Sequence, residues 1–306
     1  MRESEASIRG RVMRDLIAHV TNDHLIGKKI KNGELRKKIG DSEPPWKCPD
    51  CFSLDVMDNF SMEYLQAKEN PNTEKVILQL HGGGYVGAMR NAYRMFAGLY
   101  CEVSHGMSVL TPDYRVAPEH PYPAALEDAY AAYCYLLEQG WFSEQIIIAG
   151  DSAGGGLAMA LCHYLKDHGK QLPCGIVAMS PWTDLAASGE SYETNFERDP
   201  LFGKTRDSLI YNKDYIGDND PYNAYISPLY GDFRGFPPML IQVGSYEMLL
   251  SDSVDVAAKA REQGVKVRIS IYEGMFHIFQ MAAKMLPESK RAWVEIGKFI
   301  DVLLND

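Results

Sequence analysis

The chain holds 306 residues, enough for one large α/β domain with an added subdomain or for two domains of roughly 150 residues each. Hydrophobic residues at 46% and charged residues at 24% argue against a disordered, collagen-like or disulfide-miniprotein chain. Acidic side chains outnumber basic ones, 41 to 31, and the formal charge of −10, with no Lys/Arg block, argues against a nucleic-acid or anionic-membrane partner.

The N-terminus lacks the apolar core of a secretory signal, and no apolar run approaches the roughly 20 residues of a membrane span. Ile8, Val12, Leu16, Ile17 and Val20 recur at three- and four-residue steps, which predicts an amphipathic helix. Lys28-Lys29-Ile30-Lys31 and Arg36-Lys37-Lys38, with Glu34, Asp41 and Glu43 nearby, read as a solvated helical face. Gly40 through Pro45 then breaks the pattern, because a helix does not continue through Pro44-Pro45. Residues 1–45 are therefore expected to form a separate helical piece, with residues 46–306 carrying the main domain.

Cys48 and Cys51 form a C-x-x-C pair, but no second pair or H-x₃₋₅-H partner follows. No metal site and no cofactor are expected. The six cysteines lie mostly in apolar segments, where a free thiol packs as a small hydrophobe, and a reduced, cytoplasmic protein is expected.

From Phe52 to Ala67, polar and apolar residues alternate around Asp58-Asn59, which predicts an antiparallel strand pair. Afterwards the strands read as short apolar runs: Val76–Leu80, Ser108–Leu110, Ile146–Ala149, Ile176–Met179 and Met239–Val243, then Val267–Tyr272. Helical periodicity falls between or after them, over Ala124–Gln139, Ala153–His168, Ser251–Gln263 and Ser289–Leu304. This β-α alternation predicts an α/β fold with a mostly parallel central sheet flanked by helices, functional residues lying past the carboxyl ends of its strands. Residues 188–223 break the rhythm and read as an inserted helical piece near the mouth of any site.

Gly150-Asp151-Ser152-Ala153-Gly154 matches G-x-S-x-G, directly after one predicted strand and before a helix. A serine on so tight a turn projects its hydroxyl outward as a candidate nucleophile. Such a serine needs a base and an orienting carboxylate, in the chain order Ser, Asp/Glu, His. His277 follows the last predicted strand and is the candidate base. Glu247, closer to the end of the Met239–Val243 strand, is the preferred acid; Asp252 is kept as the alternative, its other reading being an N-terminal cap or dipole partner of the next helix. His81-Gly82-Gly83-Gly84 follows another strand, and three glycines let backbone amides point inward as an oxyanion hole made by Gly83, Gly84 and Ala153. His81 reads as an anchor of that loop.

Together with Asp113-Tyr114-Arg115-Val116-Ala117-Pro118-Glu119-His120-Pro121, Ser180-Pro181-Trp182-Thr183-Asp184-Leu185 and Ser227-Pro228-Leu229, these motifs resemble the hormone-sensitive-lipase family of α/β-hydrolases, in its bacterial carboxylesterase and acetylesterase branch. The resemblance runs from about residue 52 to the C-terminus. It implies an α/β-hydrolase fold with a cap built from the N-terminal helices and the 188–223 insertion. Asp113 and Arg115 are expected to pair as a brace between the oxyanion and nucleophile loops.

The resulting expectation is a serine carboxylesterase that cleaves short-acyl, acetyl-like esters of small molecules through an acyl-enzyme. Amide hydrolysis or acyl transfer would use the same triad, and a small-molecule receptor on the same fold is the rival from another class. A homodimer through an exposed edge strand is compatible with such a sheet, although the sequence does not specify one.

Overall fold

A computed structural model describes residues 5–21, 32, 34, 46–57, 61–204, 206 and 208–305. Eight strands form one sheet: β1 Phe52–Met57, β2 Met62–Ala67, β3 Asn72–Leu80, β4 Met107–Pro112, β5 Ile146–Asp151, β6 Gly175–Met179, β7 Met239–Gly244 and β8 Val267–Tyr272. Their order is β1-β2-β4-β3-β5-β6-β7-β8. β2 runs antiparallel to both neighbours, and every pair from β4 to β8 is parallel.

The apolar runs form these strands because both faces of the sheet are covered. Leu78, Leu110, Ile148, Ala178 and Ile241 face one helical layer, made by α3 (Ala124–Glu138), α4 (Ala153–Asp167) and α6 (Leu250–Glu262). Their chain neighbours Ile77, Val109, Ile147, Val177 and Leu240 face the other, made by α2 (Asn91–Val103) and α7 (Pro287–Asn305). The two-residue period of a strand thus sends alternate side chains into two separate cores. The parallel pairing of β3, β5, β6, β7 and β8 brings their carboxyl ends to one edge, where the loops carrying His81, Ser152, Ser180, Glu247 and His277 lie. No helix among the described residues is long and apolar enough to cross a membrane.

Four expectations change. Helix α2 was not among the elements read from the sequence, although Tyr93, Phe96, Ala97, Tyr100 and Cys101 recur at helical spacing and are buried. The expected N-terminal helix exists as α1 (Ile8–Thr21), but Ile8, Val12 and Leu16 are 72%, 61% and 55% exposed. Of the expected stripe Ile17 packs inward, and with Met13 and the preceding Ala6 it meets the cluster that contains Met275, Phe276 and Phe279. Gly10 permits that approach, since a Cβ there would stand 2.6 Å from the Met275 methyl. Two polar ties fix the same face. Glu288 accepts the Ser7 amide at 2.6 Å, and Arg14 donates to the Gly274 carbonyl at 3.4 Å.

Residues 188–223 are not a helical piece. Among the described residues they hold one short α-helix, α5 (Ser191–Thr194), and a 3₁₀ turn at Leu209–Tyr211. Asp199 captures the amides of Leu201 and Phe202 in its side chain, at 2.8 and 3.0 Å, and Pro200 lies between, so the chain turns instead of continuing as helix. The fourth change concerns the Asp113–Arg115 brace and belongs to the site below. The basic run, the break at 40–45 and the turn at Asp58-Asn59 lie outside the described residues, apart from Glu34.

Candidate active site

The turn after β5 holds Ser152 at φ +52°, ψ −122°, a backbone conformation that costs a non-glycine residue roughly 1–3 kcal/mol. The surroundings impose it. The Ser152 amide donates to Met179 O at 2.9 Å, and its carbonyl accepts from Gly156 at 3.1 Å and Trp182 at 2.9 Å. Glycine is required beside it, because a Cβ on Gly154 would lie 2.0 Å from the Leu80 carbonyl oxygen. α4 starts directly after the serine, so its positive end points at the same place.

Ser152 and His277 line one cavity of about 200 Å³, together with Gly83, Gly87, Arg90, Tyr93, Leu201, Phe202 and Leu209. His277 Nδ1 is 2.8 Å from Glu247 Oε2, with both side chains excluded from water. That contact places a proton on Nδ1, so in the neutral tautomer Nε2 is the acceptor. Nε2 makes no hydrogen bond in this arrangement, to Ser152 or to any other described residue. The edge of the Phe202 ring packs on the imidazole, centroids 4.8 Å apart.

Glu247 is itself fixed. Its Oε1 accepts the Gly244 amide at 2.5 Å and the Ser180 hydroxyl at 2.8 Å, and the same hydroxyl accepts the Ile278 amide at 3.2 Å. Ser180 thereby ties the acid to the residue following the base. Sequence reasoning had noted it only as part of a family motif, since its partners lie 67 and 98 positions away.

Asp252 does not approach His277. One oxygen accepts the amides of Thr183 and Asp184 at 2.7 and 2.8 Å, and burial, followed by the charge of Asp184, pushes its carboxyl well above the usual range. Asp184 then caps the next turn, accepting from Ala186 at 3.0 Å and Ser188 at 2.8 Å. Asp252 therefore anchors the root of the insertion.

In the glycine loop, Gly83 and Gly84 adopt φ +111° and +63°, which L side chains rarely adopt. Among the described residues, neither these two amides nor that of Ala153 donates to a protein acceptor. His81 holds the loop from behind: its Nδ1 is 2.7 Å from Gly82 O, and its ring stacks on Tyr114 at 4.0 Å. Burial lowers its pKa to about 4, so at neutral pH it is uncharged.

The expected brace is different. Arg115 pairs with Asp128 and Glu127, at 2.8 and 2.9 Å, and Asp113 accepts the Met89 amide at 3.3 Å. Between them, Tyr114 makes the loop contact, its hydroxyl donating to His81 O at 2.6 Å. The acids at the start of α3 lie within the guanidinium's bidentate reach, which draws Arg115 away from Asp113.

Asp151, beside the nucleophile, accepts the Gly82 amide at 3.1 Å through Oδ1, and its Oδ2 has no partner. Burial pushes its carboxyl up to about 7 against the opposing charge of His277 and the Gly82 bond. Among the described residues no three His, Cys, Asp or Glu side chains gather as metal ligands, and Cys48 and Cys51 are free thiols.

This sheet order, with a strained serine at the end of β5 and a buried His–Glu pair beyond β7 and β8, defines an α/β-hydrolase. A family model described as the alpha/beta hydrolase fold matches residues 77–281. An acetyl-hydrolase of Streptomyces hygroscopicus is 40% identical over 226 residues, 74% of this chain and 75% of its own length. The crystal structure of EstE5 soaked with p-nitrophenyl butyrate aligns at TM-score 0.84 and 32% identity, covering 98% of this chain and all of that one. A hormone-sensitive lipase from a metagenome library aligns at TM-score 0.84 and 31% identity, with the same coverage. The chain belongs to the α/β-hydrolase family, in its hormone-sensitive-lipase branch of carboxylic ester hydrolases.

Proposed function

We propose that the protein hydrolyses short-acyl esters through a Ser152–His277–Glu247 triad. The observation that carries the reading is the buried 2.8 Å contact between His277 Nδ1 and Glu247, on a base whose free Nε2 shares a cavity with Ser152. Substrate binding would bring the Ser152 hydroxyl to Nε2. Ser152 Oγ then bonds to the ester carbonyl carbon while its proton passes to Nε2, and Glu247 stabilises the imidazolium. The carbonyl oxygen becomes an oxyanion facing the amides of Gly83, Gly84 and Ala153. Collapse breaks the bond to the alcohol, which leaves with the proton from His277. Water, deprotonated by His277, cleaves the acyl-serine and releases the carboxylic acid.

The preference for short acyl groups is supported by cavity size. At about 200 Å³, walled by Leu201, Phe202 and Leu209, it falls below the roughly 300–1,000 Å³ of sites for drug-sized ligands. The acetyl-hydrolase relative supports the same preference. Residues 188–223 and α1 are read as the cap over this cavity.

Hydrolysis of p-nitrophenyl esters from acetyl to decanoyl, beside Ser152→Ala, tests the proposal. We expect kcat/KM to fall with acyl length and Ser152→Ala to lose on the order of 10⁴-fold or more in kcat. Full activity in Ser152→Ala would overturn the mechanism, and a preference for decanoyl would overturn the substrate class.

A further inference from the structure

The turn that carries Glu247, residues 245–249, is held by the sheet on one side only. The Ser245 amide donates to Tyr272 O and the Tyr246 amide to Met275 O, both at 3.0 Å. Four of its other backbone groups find partners in the insertion. Asn195 Nδ2 donates to Glu247 O at 2.7 Å and to Ser245 O at 3.2 Å. Asp199 Oδ2 accepts the Met248 amide at 2.7 Å, and the Ser191 hydroxyl donates to Met248 O at 2.6 Å. Ser191, Asn195 and Asp199 follow one another at four-residue intervals, and all three are buried.

Asp199 has a second task. Its other oxygen holds the amides of Leu201 and Phe202, which set the Phe202 ring against His277. One carboxylate thus spans from the backbone beside Glu247 to the residue packed on the base. Tyr246 adds a flank, lying between the guanidinium groups of Arg14 at 4.3 Å and Arg198 at 4.2 Å.

We propose that Asn195 and Asp199 are positioning residues for catalysis, which fix the 245–248 backbone so that the Glu247 carboxylate meets His277 Nδ1. The inference rests on the reading of Glu247 as the triad acid. A glutamate reaches its histidine through one more rotatable bond than an aspartate, so its backbone must be held more firmly for the same geometry. Displacement of about 1 Å at a reacting group costs on the order of 100-fold in rate, so four backbone contacts at this turn matter to turnover.

The test is a mutant cycle on the full chain with p-nitrophenyl acetate: Asn195→Ala, Asp199→Asn, Glu247→Gln, and each of the first two combined with the third. Each single change at 195 or 199 is expected to lower kcat by about 10-fold or more while KM moves less than about 2-fold. In the Glu247→Gln background neither should lower kcat further, because an orienting contact has nothing left to orient. A loss that multiplies with that of Glu247→Gln, or no loss while Glu247→Gln is crippled, would overturn the inference. Full activity in Glu247→Gln would overturn the underlying triad reading and this inference with it. Should Asp199→Asn fail to fold, Asn195→Ala, which removes the two donations to carbonyls and one acceptor contact to Arg198 at 3.4 Å, decides the question alone.

Discussion

Two pieces of chain lie over the carboxyl edge of the sheet, and they are attached in different ways. The segment from Ser191 to Phe202 drives buried side chains into the loops of the site, with Asn195, Asp199 and Phe202 all at most 5% exposed. Helix α1 rests on the surface of the β8–α7 region and turns Ile8, Val12 and Leu16 outward. Its polar ties lead to Glu288, Gly274 and, through Thr21, the Pro200 carbonyl. The comparison teaches that covering a site and shaping it are separable tasks. The insertion belongs to the scaffold of the site, whereas α1 is an added layer.

The sharpest way to break this comparison is to loosen the root of the insertion without touching it. Asp252→Ala would leave the buried amides of Thr183 and Asp184 without their acceptor, at a cost on the order of 2 kcal/mol or more. Thermal unfolding should show that loss. If the insertion shapes the site, kcat should fall several-fold as well, yet far less than in Glu247→Gln. A fall as deep as that of Glu247→Gln would put Asp252 in the chemistry and contradict its role as acceptor of the Thr183 and Asp184 amides.

On the other side of the comparison, Glu288→Gln weakens the tie to the Ser7 amide at the start of α1. Losing a charge-assisted bond of this kind costs about 1 kcal/mol. Stability should drop by that order while kcat for p-nitrophenyl acetate stays within about 2-fold of the parent. A tenfold loss of kcat would mean that α1 shapes the site too, and the distinction would fail.

Which parts were readable from the sequence follows from how local their causes are. The central strands were readable because burial on both faces demands apolar runs such as Ile146–Ile147–Ile148. The Ser152 turn was readable because a single local backbone conformation calls for glycines at fixed offsets around it. The inner face of α1 was readable only in part, because among Ile8, Val12, Leu16 and Ile17 only Ile17 packs inward, and two polar ties at Ser7 and Arg14 help set the contact. Ser180, Asn195 and Asp199 reach the loops of the site through partners 49 or more residues away, and those long-range contacts leave little local mark. The four-residue spacing of 191, 195 and 199 is the one local trace.

The floor of the site, which neither covering piece holds, offers a smaller effect and an internal reference. Asp151 has a folded pKa near 7 against an ordinary 3.8, with burial as the main cause. Between those values the folded state binds more protons than the unfolded one, so its contribution to stability is fully present below about pH 4 and is lost as pH rises through 7. Asp151→Asn keeps an oxygen for the Gly82 amide and imitates the protonated acid, so it removes this dependence. Its melting temperature relative to the parent should therefore be higher at pH 8 than at pH 5, by a few degrees at most. The opposite sign would mean that Asp151 is held as a carboxylate, with its free Oδ2 paired to a donor such as the Tyr100 hydroxyl, whose own pKa burial, and then the charge of Asp151, raises. Because Asp151 lies beneath the glycine loop, the shift should be the same in Glu288→Gln and in the parent. It should differ in Asp252→Ala only if the insertion's grip extends down to the nucleophile turn, which the Trp182 amide on the Ser152 carbonyl gives it a route to do.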